Sequence, residues 1–186
     1  MNTHKAIEDR RSIRKYKKDE IQKEIIEDIL KCGCLSPSAK NRQPWYFIVL
    51  SGKNKNEIAK IMIDGFTNEH KEYDKKVLKC DNSVICTANV IIQAPILILI
   101  FRPKDDNWLV GDSLSIGACV ENMCLRATEL GLGTLWIRDV VYTSDKIASY
   151  FGKKNLELNC ALSIGILNEK PKSRPRKKLD DIIEWY

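Results

Sequence analysis

A chain of 186 residues that is 44% hydrophobic is long enough to close one real core. Its net charge of +6 is too small to argue by itself for a nucleic-acid partner. Seven cysteines, an odd number without CxxC or regular spacing, together with the lack of a leader-like segment, point to a reducing cytoplasm. His4 and His70 are the only histidines and neither has a ligand-spaced partner, so no metal site is expected.

Residues 3–10 read as a short helix leading into Arg10-Arg11-Ser12-Ile13-Arg14-Lys15-Tyr16. In an extended segment Arg10, Ser12 and Arg14 point one way and Ile13 the other. That arrangement makes either an anion clamp of guanidinium forks and a hydroxyl or a plain solvated basic turn. Lys23 to Cys34 has Ile25, Ile26, Ile29 and Leu30 at helical spacing. It runs into Ser36-Pro37-Ser38-Ala39-Lys40-Asn41-Arg42-Gln43-Pro44, a loop rich in residues that bond or cap backbone. Trp45 to Leu50 is then a strand, and a second helical region follows Ser51. The charged, weakly periodic stretch 64–79 reads as surface helix or mobile loop. Val84 to Ile92 is expected to be helical. The β-rich run Ala94 to Phe101 is a buried central strand, too short to span a membrane.

The centre of the chain is Gly111 to Asp139. Asp112 to Leu130 reads as a helix with apolar or small residues round most of its circumference, hence buried. Gly117, Ala118 and Cys119 would admit another backbone, from the same subunit or a second one. Gly131 ends the helix in a left-handed conformation, and Thr134-Leu135-Trp136-Ile137 follows as a strand closing on Arg138-Asp139. Ser144, as N-cap, opens a helix to Phe151, and Leu158 to Leu167 is the last strand. The tail from Glu169 is basic and punctuated by proline, then ends in apolar residues that call for a docking surface.

Three separated segments therefore offer anion or heterocycle contacts: Arg10–Arg14, Ser36–Gln43 and Lys172–Arg176. Against them stands no nucleophile with its base, no pair of carboxylates set apart for acid–base work, and no GxGxxG or GxxxxGK[ST]. Many binding groups without a nucleophile imply that a cofactor carries the chemistry.

In this order, RRSIRKY, SPSAKNRQPW, GLGTLWIRD and KPKSRPRKKLDDIIEW resemble the FMN-dependent nitroreductase family from Ile7 to Trp185. The resemblance implies an α+β fold: a single nitroreductase-like domain over residues 1–186, with three α/β/α layers around a mostly antiparallel sheet. It also implies an intertwined homodimer whose C-terminal arm, about 169–186, wraps the partner. Arg10, Arg11, Ser12 and Arg14 would grip the FMN phosphate, ribityl chain and pyrimidine edge. Pro37, Ser38 and Asn41 would reach the flavin of the other subunit. Trp136, Ile137 and Arg138 would lie near the flavin N5 edge, and Lys172, Arg174 and Arg176 would supply phosphate contacts. Hydride would pass from NAD(P)H through the flavin to a small-molecule acceptor, a nitroaromatic, a quinone or similar. The same scaffold also supports dehydrogenation, dehalogenation and flavin fragmentation.

Two departures stand out. Many relatives carry glycine where this chain has Arg138-Asp139, so those side chains either narrow the pocket toward an acidic acceptor or pair at the surface. The chain is also short between Pro103 and Asp112, which implies a more open site. A basic nucleic-acid-binding module is the rival from another class. It would need a continuous basic face with aromatics, and the prolines and Asp180, Asp181 and Glu184 of the tail argue against it. A thiol redox role for Cys32 and Cys34 is weaker still, because CxC is not CxxC.

Overall fold

The computed structural model describes residues 2–69 and 83–186, with the side chains of 67–69 left aside. Helices α1 (Thr3–Asp9) and α2 (Lys23–Cys34) precede strand β1 (Tyr46–Ser51). Helices α3 (Gly52–Glu69) and α4 (Ser83–Gln93) lead to β2 (Ile96–Pro103). Then come the long α5 (Leu109–Glu129), β3 (Leu132–Ile137), α6 (Ser144–Tyr150) and β4 (Leu156–Ile166). The reading of 64–79 as surface helix or loop is met by α3 as far as Glu69, and its remainder lies outside the described residues.

The four strands form one antiparallel sheet in the order β1-β2-β4-β3. Strand β2 explains why this becomes three layers. Ile96, Ile98 and Ile100 point to one face, where they meet α2 and α5 through Ile29, Ile116 and Met123. Leu97, Leu99 and Phe101 point to the other, against Ile58 and Met62 of α3, Ala88 and Ile91 of α4, and Ile147 of α6. A strand apolar on both faces has no wet side, so helices must cover both. The expected α/β/α arrangement is the one found.

Several local expectations need correction. The first helical residue of α6 is Ser144, but it does not cap the helix; its Oγ accepts from the N–H of Leu158 at 2.9 Å. The N-cap position belongs to Thr143, which makes no side-chain cap bond. Nor is α5 buried all round: Val110 and Leu114 are each 71% exposed. Cys86 of α4 is disulfide-bonded, which the irregular cysteine spacing gave no sign of, while Cys32, Cys34, Cys119, Cys124 and Cys160 are free thiols. Among the described residues, no helix is long and apolar enough to cross a membrane.

Candidate functional site

The segment Arg10–Tyr16 is held to the sheet by a gap in it. Gly133 of β3 and Gly165 of β4 are cross-strand partners. A Cβ on Gly133 would lie 2.7 Å from Cγ1 of Ile13, and one on Gly165 would lie 2.5 Å from Cδ1 of Tyr16. Two side chains thus occupy the space that two glycines leave, which is what a glycine inside a strand commonly signals. Ile13 is 1% exposed, a burial that contributes about 1.5–3 kcal/mol. Its N–H donates to the carbonyl of Thr134 at 2.8 Å, and the Tyr16 hydroxyl donates to the carbonyl of Ile13 at 2.8 Å, within 2.8 Å of Ser163 Oγ. With Ile13 fixed inward, Ser12 and Arg14 are exposed on the opposite side, as the alternation required.

The tail returns to the same place. Lys17 N–H donates to Ile166 O and Asn168 N–H to Lys15 O, both at 2.9 Å. Glu169 then accepts from two successive backbone N–H groups, those of Arg14 and of Lys15, the latter at 3.1 Å. This carboxylate latch sets Lys172, Arg174 and Arg176 beside Arg10, Arg11, Ser12 and Arg14 around a cavity of about 160 Å³. Some of these cations are already engaged. Arg10 pairs with Glu121 of α5 at 3.3 Å, and Arg11 donates to the carbonyls of Glu8 and Arg10. Arg176 donates to the carbonyls of Arg174 and Pro175. Among the described residues, the side chains of Arg14, Lys172 and Arg174 form no ion pair. A cluster of guanidinium and ammonium groups around a small cavity, several of them without an ion-pair partner, suits a phosphate dianion.

Farther along β3 the side chains divide by parity. Trp136 is 42% exposed and lies over Gly117 of α5, where a Cβ would come within 3.7 Å of the indole. Ile137 points the other way and is 2% exposed, so it offers the site only its backbone. Arg138 is exposed at the strand end, whereas Asp139 turns away and accepts from Thr87 Oγ1 of α4 at 2.9 Å. The two charges do not pair with each other. Trp136 and Arg138 face a second cavity, of about 660 Å³, with Ser113 of α5 and Asn159 of β4. Asn159 is the extra residue of a β-bulge, between the pairs Ile100↔Cys160 and Phe101↔Leu158, and its amide donates to Ser113 Oγ at 3.0 Å. Beneath this cavity burial pushes the Cys160 thiol up to about 12, and the same cause raises Cys119 to about 12. Both stay protonated near neutral pH, so neither acts as a nucleophile.

The loop Ser36–Gln43 is placed elsewhere. Lys40, Asn41 and Gln43 have φ of 51°, 54° and 49°, a left-handed conformation that costs non-glycine residues about 1–3 kcal/mol each. Its hold on α5 offsets that strain. The N–H of Ala39 donates to Ser115 Oγ at 3.2 Å. The Arg42 guanidinium bonds the fully buried Asp112 at 3.1 and 3.4 Å and stacks 4.2 Å from the Trp108 ring. Ser38 Oγ accepts from Gln43 N–H at 3.0 Å, while Pro37 and Asn41 are exposed. Ser115, which holds the loop, and Glu121, which holds Arg10, are about 120° apart around α5 and about 9 Å apart along it. Pro37, Ser38 and Asn41 therefore do not line the cation cavity of their own chain.

Sequence reasoning missed Glu169, Asn159, Asp112 and the glycine pair. Only the last had a local signal, a glycine within each of two strand-like runs. A latch, a bulge and a buried ion pair depend on which segments meet.

The family model described as "Nitroreductase family" matches residues 7–166. The "Putative NADH dehydrogenase/NAD(P)H nitroreductase" of Archaeoglobus fulgidus is 34% identical over 133 residues. That match spans 72% of this chain but only 65% of the archaeal protein, less than two thirds of its length. Among solved structures, a BluB-like flavoprotein from Clostridium difficile 630 aligns with TM-score 0.82 at 23% identity, covering 100% of this chain and 99% of that one. The FMN and NADPH-dependent nitroreductase NfnB of Sphigopyxis sp. strain HMH aligns with TM-score 0.85 at 17% identity, again covering 100% and 99%. Family match, antiparallel three-layer fold and the joining of sequence-distant motifs agree, and the chain belongs to the nitroreductase family.

Proposed function

We propose that this protein is an FMN-dependent oxidoreductase that uses NAD(P)H to reduce a small oxidised acceptor, a nitroaromatic, a quinone or a similar compound. The observation that carries the reading is the cation cavity, where the side chains of Arg14, Lys172 and Arg174 form no ion pair among the described residues. FMN phosphate carries close to two negative charges, and each charge-assisted contact contributes about 1.5–3 kcal/mol. Ser12 would add a hydroxyl, and Arg10 and Arg11 would hold the ribityl chain and pyrimidine edge. Bound FMN supplies hydride transfer at N5, chemistry for which this chain has no side chain of its own. Trp136, the Ile137 backbone and Arg138 would border the N5 edge. A guanidinium such as Arg14 near the pyrimidine would favour the reduced, more negative flavin. The names of the archaeal relative and of the Sphigopyxis enzyme support the donor and cofactor by likeness.

The working unit in this reading is a homodimer with one domain over residues 1–186 in each subunit. The loop bearing Pro37, Ser38 and Asn41 is held firmly yet lies apart from its own chain's cation cavity, so its target is the partner's flavin. Exposed apolar side chains support the same arrangement: Leu35 is 83% exposed, and Val110 and Leu114, one turn apart on α5, are each 71% exposed. Leu179, Ile182 and Trp185 of the arm are also exposed and would lie on the other subunit. Five free thiols among the described residues favour a reducing, cytoplasmic setting, with the Cys86 disulfide as the contrary sign.

The test is direct. Purified protein is mixed with excess FMN and separated by size exclusion with absorbance detection. A yellow dimer that oxidises NAD(P)H when a quinone is added is expected. A colourless monomer overturns the proposal.

A further inference from the structure

The cavity at the end of β3 carries an imbalance of charge. Its lining includes two guanidinium groups, Arg102 and Arg138, and one carboxylate, Glu157. Arg102 is 1% exposed and fully engaged: it donates to the carbonyls of Pro103 at 3.0 Å and Asp105 at 3.1 Å and pairs with Glu157. That pair cancels. Arg138 is left over, because Asp139 is committed to Thr87 and no acidic group among the described residues reaches Arg138. Beside it stand the half-exposed Trp136 indole and the amide of Asn159, which the bulge and Ser113 hold in place. At about 660 Å³ the cavity is the size of small-ligand sites generally.

We propose, resting on the flavin reading above, that the acceptor this cavity selects is a planar aromatic anion, its carboxylate forked by Arg138 and its ring laid against Trp136. Guanidinium and carboxylate match in shape, and two parallel N–H···O bonds fix the anion's orientation as well as its charge. An indole face is suited to a flat ring. A neutral acceptor forfeits the first contact and keeps the second. Arg138 makes and breaks no bond in this role; it sets which molecule enters and how it lies.

FMN-loaded protein titrated by calorimetry with 4-nitrobenzoate and with nitrobenzene separates the cases. The carboxylate is expected to bind about tenfold tighter or more, with an advantage that shrinks as salt is added. In Arg138→Gln the ratio of the two affinities should fall to about one, and Arg138→Lys should recover part of it. Equal affinities in the native protein, or an advantage that survives Arg138→Gln, overturns the inference. Flavin content is read first from absorbance. Yellow protein with equal affinities overturns this inference alone, whereas protein that retains no FMN overturns the flavin reading and this inference with it.

Discussion

The cation cavity draws its charges from two segments at opposite ends of the chain, Arg10–Arg14 and Lys172–Arg176, and closes them around one small space. The loop Ser36–Gln43 is continuous in sequence, yet its exposed residues line nothing in that space. The cavity depends on exposed cations whose mutual repulsion must be overcome by anchors: Ile13 in the glycine gap and Glu169 across two backbone N–H groups. The loop depends instead on local backbone strain, with three non-glycine residues at positive φ, held by a buried carboxylate. A like-charged cluster persists where a counter-ion belongs. The loop's exposed residues are the part of the site that the proposed second subunit would complete.

The largest expected effect comes from stripping the cavity of its unpaired charges. Arg14→Ala combined with Arg174→Ala should weaken FMN binding by about 10²- to 10⁴-fold, two charge-assisted contacts at about 1.5–3 kcal/mol each. Flavin fluorescence titration reads this, and unchanged affinity would place the phosphate elsewhere. Asp112→Asn strikes the loop while leaving every cation in place. It removes the charge that draws Arg42 inward, so the strained residues relax and FMN affinity falls by about tenfold, comparable to the 1–3 kcal/mol of one strained residue. Dimerisation measured by sedimentation should weaken in parallel; full retention of both would detach the loop from the partner's site. Glu169→Gln should have the smallest effect. Its two N–H contacts lose their charge assistance, FMN affinity drops about threefold, and the tail beyond Lys170 is cleaved faster by trypsin. A tail as protected as before would mean that the latch does not hold the arm.

Much of the fold was legible because it follows from periodicity. The α2 bounds match the helical spacing of Ile25, Ile26, Ile29 and Leu30, and the left-handed Gly131 (φ 75°) ends α5 where a residue without Cβ was needed. The doubly apolar β2 required cover on both faces. Errors fell where two segments compete for one group. Ser144 has a cap residue's chemistry, but Leu158 N–H on β4 takes its oxygen. Leu114 belongs to an apolar helix yet is exposed, because pattern marks which residues avoid water and not which surface covers them.

By itself the sequence determined the elements, the inward turn of Ile13 with Ser12 and Arg14 outward, and the two basic segments, Arg10–Arg14 and Lys172–Arg176, offered as anion contacts. These depend on side-chain type and on spacings within a few residues, where backbone geometry dictates direction. Only the tertiary structure decided that Glu169 fastens the tail to Arg14 and Lys15, that Asn159 bulges toward Ser113, and that Asp139 deserts Arg138 for Thr87. Each of those contacts joins groups at least 46 residues apart. At that range proximity is set by how the whole core packs, and a one-dimensional pattern carries no measure of distance in space.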